Sequence, residues 1–89
     1  MDLEIRVEGI ADAGLARKIE RSLRRIAKRE AQRGEWTLVV APSENRGEWD
    51  IGVRSPGRHL FASFRAEPSD LPRLVDDQFL TALAAARIP

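Results

Sequence analysis

The sequence predicts an α+β fold: a four-stranded mixed sheet with two helices on one face, in the order βαβββα. Three observations carry that expectation. Four short segments alternate apolar and polar residues, the period of half-buried strands. Two longer segments repeat apolar residues three and four apart, the period of a helix docked by one face. The first of these lies between the first two strands and is long enough for a crossover, so those strands should be parallel neighbours.

The elements follow in order. Leu3, Ile5 and Val7 alternate with Glu4, Arg6 and Glu8, which makes the first strand. Gly9 to Gly14 is a loop, with Asp12 placed to cap the helix after it. That helix should end near Gly34, a left-handed stop. Residues 35–41 form the second strand, with Trp36, Leu38 and Val40 in one row. Pro42 to Gly47 is a turn. Trp49, Ile51 and Val53 make the third strand's inner row, and Ser55-Pro56-Gly57 a tight hairpin. Leu60, Ala62 and Phe64 make the fourth. Pro68-Ser69-Asp70-Leu71-Pro72 opens the second helix, whose apolar face is Leu71, Leu74, Val75, Phe79 and Leu83.

Each strand has one apolar row, so both helices should cover the same sheet face. The other face should meet solvent through Glu4, Arg6, Thr37, Glu48, Asp50, Arg54 and Ser63. Trp36 and Trp49 share parity with apolar rows and belong to the core. Phe61 has the opposite parity, which puts it on the open face near Val39 or Thr37 as a candidate stacking or interface residue.

The 89 residues are expected to form a single domain, 1–89, with one modest core drawn from 43% hydrophobic residues. With no cysteine there is no disulfide framework, thiolate metal site or cysteine nucleophile, a composition compatible with a cytoplasmic location. No apolar run is long enough to span a membrane, and the acidic, alternating start is not a signal peptide.

Charge is distributed unevenly. Residues 12–33 hold eight Lys/Arg against three acids, a net of +5, while the rest of the chain nets −4. Between Arg17 and Arg29, seven of thirteen residues are basic: Arg17, Lys18, Arg21, Arg24, Arg25, Lys28 and Arg29. At 3.6 residues per turn they fill one arc of roughly 140°, with no acid inside it. Leu15, Ile19, Leu23 and Ile26 occupy the opposite side. Arg17/Arg21, Arg21/Arg25, Arg24/Lys28 and Arg25/Arg29 are like-charged i,i+4 pairs, each unfavourable by roughly 0.2–0.5 kcal/mol. Solvated helices interleave Glu with Lys or Arg, whereas here only Glu20, at the border of the arc, is placed to pair with Arg24. Such a face attracts a polyanion.

Catalytic chemistry finds no support. His59 is the single histidine and has no ligand cluster spaced around it. Asp76 and Asp77 are adjacent and so point about 100° apart on a helix, which makes them solvated acids rather than a carboxylate dyad. Glu48 and Asp50 share a strand parity and read as surface charge. Ser43, Ser55, Ser63 and Ser69 lack a partner base, and no Gly-rich phosphate loop is present. The chain is expected to be non-enzymatic, with no cofactor and no metal.

The order βαβββα at this length resembles the ribosome hibernation-promoting factor family, also called ribosome-associated translation inhibitors. Trp49-Asp50-Ile51-Gly52-Val53-Arg54-Ser55-Pro56-Gly57-Arg58-His59-Leu60-Phe61-Ala62-Ser63 is similar to that family's third strand, hairpin and L-x-A-S-like fourth strand. Val75-Asp76 is similar to its Ile-Asp pair, and the basic first helix also fits. The resemblance implies a domain like the double-stranded-RNA-binding domain with an added first strand. It also implies binding to the small ribosomal subunit, in the channel used by messenger and transfer RNA, with translation silenced in resting cells. Family members contact ribosomal RNA phosphates from both helices. Here Arg17, Lys18, Arg21, Arg24, Arg25, Lys28 and Arg29 carry over from the first helix. The second departs: Asp76-Asp77-Gln78-Phe79-Leu80-Thr81-Ala82-Leu83-Ala84-Ala85-Ala86-Arg87 lacks the family's several Lys/Arg, leaving Arg73 and Arg87. The 89 residues contain no counterpart of the C-terminal domain by which long members pair ribosomes.

The functional expectation is an RNA- or ribosome-binding domain that modulates translation through one basic helix, with ribosomal RNA or the small subunit as partner. The alternative is a protein-interaction module whose basic helix or open sheet face meets an acidic partner protein. An RNA-recognition-motif reading fails, because that fold runs βαββαβ.

Overall fold

The computed structural model of the chain describes residues 2–30, 35–55 and 57–86. Its elements are β1 (Asp2–Val7), α1 (Ala13–Glu30), β2 (Glu35–Pro42), β3 (Glu48–Ser55), β4 (Arg58–Arg65) and α2 (Leu71–Ala86). The order is the expected βαβββα. The stop expected at Gly34 lies outside the described residues, as does Pro56 of the last hairpin.

The four strands lie side by side in the order β1-β2-β3-β4. β1 runs parallel to β2, and β2, β3 and β4 form an antiparallel meander. The register stacks apolar residues in rows under the helices. Ile5, Leu38, Val53 and Leu60 make one row, and Val7, Val40, Ile51 and Ala62 the next. α1 packs on β1 and on α2, while α2 packs on β3 and β4. Both helices therefore cover one face of the sheet, and the hydrophobic effect has a single layer to act on.

The core is built from Ile19, Leu23, Ile26 and Ala27 of α1, Trp36, Leu38, Val40, Ile51 and Val53 of the sheet, and Leu71, Val75, Phe79 and Leu83 of α2. Trp36 is buried as expected, and Trp49 packs half-buried against the same cluster. Leu15 and Leu74, expected within the apolar faces, are half-buried at their edges. Ala27 and Ser22 lie deeper than the apolar spacing alone implied.

Local chemistry sets the helix starts. Asp12 Oδ1 accepts the backbone N–H groups of Gly14 at 2.8 Å and Leu15 at 3.1 Å, while its carbonyl accepts from Ala16 at 3.0 Å. It is the N-cap of α1 and satisfies donors that the first turn leaves open. At α2 the Asp70 carbonyl accepts the N–H of Leu74 at 3.0 Å, and Pro72 occupies the first turn, where no intrahelical donor is needed.

Candidate nucleic-acid interface

All seven basic side chains of the α1 arc are solvent-exposed, while Ile19, Leu23, Ile26 and Ala27 of the same helix are buried. One 18-residue helix thus divides cleanly into a docked face and a cationic face. Burial of the apolar stripe against the sheet and α2 fixes the rotation of the helix. That rotation is what brings the seven cations to one side of the molecule.

Details of the face follow from neighbours on the helix. Arg24 pairs with Glu20 at 3.3 Å, the i,i+4 contact expected at the border of the arc. With both side chains about half-exposed, such a pair contributes little to stability. Arg17 Nε reaches back to the Ala13 carbonyl at 3.4 Å. Arg21, Arg24, Arg25, Lys28 and Arg29 surround a shallow depression on the outer side. The helix backbone sets the spacing of the groups around it. Its electrostatic character is uniform and positive.

The cationic surface does not end at α1. A groove between the helices is lined by Gly14, Arg17, Lys18, Arg21, Ser22 and Arg25 on one wall and by Ser69, Pro72, Arg73 and Asp76 on the other. Arg73 therefore adds a cation from the second helix, held near Asp70 at 3.7 Å. Arg87, the other cation expected in the second helix, lies outside the described residues. Nothing in the sequence marks Arg73 apart from its being the one base in the first turn of α2. Its place across the groove depends on how the two helices pack.

The reading of Asp76 as a solvated acid is corrected. Its Oδ2 accepts the Ser22 hydroxyl proton at 2.6 Å, and its Oδ1 is buried with no hydrogen-bond partner among the described residues. Ser22 is 9% exposed, and Arg25 Nη2 lies 3.5 Å from its oxygen. The physical reason is the close packing of α1 on α2, which traps Asp76 at the seam. Asp77, the next residue, is exposed as expected.

The open sheet face has a different character. Phe61 is 68% exposed and lies across from Gly52, with Val39 and Arg6 beyond it in the same row. A Cβ built on Gly52 would meet only the Leu60 carbonyl, at 3.9 Å, so the sheet beside Phe61 is uncovered. Charges of both signs surround it. Arg6 pairs with Glu4 at 2.9 Å, Ser63 donates to Asp50 at 2.6 Å, and Asn45 donates to Glu48 at 3.4 Å. His59 is exposed at the edge of this face, across from Arg54. This mixed charge distinguishes the open sheet face from the uniformly cationic face of α1.

Among the described residues no group of three or more His, Cys, Asp or Glu side chains is placed to share a metal ion. Among them, too, no helix is long and apolar enough to cross a membrane.

No family model and no curated protein matches the sequence. Solved structures do match the fold. A ribosomal subunit interface protein from Coxiella burnetii superposes with a TM-score of 0.63 at 18% identity, over 98% of this chain and 98% of that one. The Protein Y N-terminal domain from Thermus thermophilus superposes with a TM-score of 0.57 at 15% identity, over 98% of this chain and 100% of that one. The chain has the fold of these proteins along nearly its whole length, which bears out the architecture implied by the family resemblance.

Proposed function

We propose that the chain is a non-enzymatic RNA-binding domain that associates with the ribosome and modulates translation in the cytoplasm, using α1 against phosphate. The observation that carries this reading is the single exposed arc of Arg17, Lys18, Arg21, Arg24, Arg25, Lys28 and Arg29 on a helix whose other face is docked. The fold shared with a ribosomal subunit interface protein supports the choice of ribosomal RNA as the polyanion. Arg73 extends the cationic surface onto α2, so the phosphate path is the α1 face together with the groove beside it. Contacts to phosphate position a protein on RNA without reading sequence, which suits a domain whose cations are clustered and whose exposed aromatic lies on another face.

Co-sedimentation with purified small ribosomal subunits tests this reading, at low salt and after a salt wash, with and without nuclease. Association at low salt that is lost on washing and on nuclease treatment is the expected result. Absence of association at low salt overturns it. Capture of a protein that survives nuclease would instead favour an acidic protein partner.

A further inference from the structure

We propose that Asp76 is a positioning residue for phosphate contact, acting through Ser22 on Arg25; this rests on the RNA-binding reading above. A serine hydroxyl has one proton, and at Ser22 it goes to Asp76 Oδ2 at 2.6 Å. An ionised carboxylate only accepts, so this bond fixes the direction of the hydroxyl. The Ser22 oxygen is left to accept, and Arg25 Nη2 approaches it at 3.5 Å. A relay thus runs from the docked side of α2 to one guanidinium of the cationic arc.

Packing alone is a poor account of this arrangement. Asp76 Oδ1 is buried without a partner among the described residues, which opposes folding. Two well-packed apolar side chains would join the helices as well or better. Electrostatics alone is a poor account too. The carboxylate lies in a groove lined by Arg17, Lys18, Arg21, Arg25 and Arg73, where a negative charge weakens the attraction for phosphate. Both costs make sense if the carboxylate orients Arg25. An arginine held in place before binding loses less side-chain freedom when it meets its ligand.

The test compares the native protein, Ser22→Ala and Ser22→Ala/Asp76→Leu, each with and without Arg25→Ala. Fluorescently labelled protein is titrated with purified small ribosomal subunits across a salt series, and folding is followed by circular dichroism. The double variant replaces the polar pair by apolar groups, so it stays folded even if the single variant does not. It also removes one negative charge, so charge alone predicts tighter binding. Positioning predicts the opposite: weaker binding, a log–log salt slope shallower by about 0.7–0.9, and no further loss when Arg25→Ala is added. Binding as tight as native or tighter, with Arg25→Ala still costing its full effect, overturns the inference. If the native protein itself fails to bind at low salt, the RNA reading falls first and the inference with it.

Discussion

Gly9 presses against the ring of Pro42 where the chain leaves β1 and passes the end of β2. A Cβ at Gly9 would lie 2.4 Å from Pro42 Cδ and 2.5 Å from Cγ, and the residue holds φ at +75°. Gly9→Ala therefore meets two penalties, a left-handed backbone and an overlap with a rigid ring. Chemical denaturation should show a loss of about 2–4 kcal/mol. Gly47 is the control. It has φ +79° but nothing within 4 Å of its Cβ position, so Gly47→Ala should cost only about 1–2 kcal/mol.

Asp12 caps α1 through two backbone donors. Asp12→Ala should lower stability by about 1 kcal/mol, and Asp12→Asn by less, since asparagine keeps the accepting oxygen. Paired thermal melts would separate the two variants.

Replacing Arg21, Arg24, Arg25 and Lys28 together by Glu should abolish binding to small ribosomal subunits. The four side chains are exposed, and the change removes the like-charged pairs Arg17/Arg21 and Arg25/Arg29 while adding Glu20/Glu24. Stability should therefore stay within about 1 kcal/mol of the native protein, as read by denaturant midpoint.

Salt provides an independent test of the proposed phosphate contact. With roughly three to five phosphates neutralised, a fourfold rise in salt should weaken binding about 20- to 500-fold. Titrations at four or more salt concentrations would give the slope. A binding constant indifferent to salt would point away from the α1 face.

Phe61 and Phe79 should behave oppositely. Phe61 is mostly exposed, so Phe61→Ser should change stability by less than about 1 kcal/mol. Phe79 is fully buried between α2 and the sheet, and Phe79→Ala should cost about 3–5 kcal/mol. Because Phe61→Ser leaves the fold intact, any change it makes in RNA affinity or self-association belongs to the open sheet face.

Much of this architecture is legible from residue spacing. Strand parity separates Trp36 from Phe61, and helical period separates Ile19 and Leu23 from the arginines, because burial of one face depends on local repeat alone. Asp12 is readable as a cap for the same reason. What spacing does not convey is how two helices approach each other. Ser22 lies at the edge of the cationic arc, and whether it meets solvent or a neighbour is decided by α2. Asp76 and Arg73 are likewise ordinary surface residues until the helices pack, when one becomes trapped at the seam and the other joins the groove.

The like charges along α1 have one more consequence. A polyanion bound along this face, as proposed, would relieve their repulsion, so it would act on the folding equilibrium as well as on its own binding. At a free concentration one hundred times its dissociation constant, such a ligand adds about 2.7 kcal/mol to the stability of the folded state. The unliganded protein is then the form most open to proteolysis. Its amount in a cell would follow the supply of its partner, with surplus copies removed first.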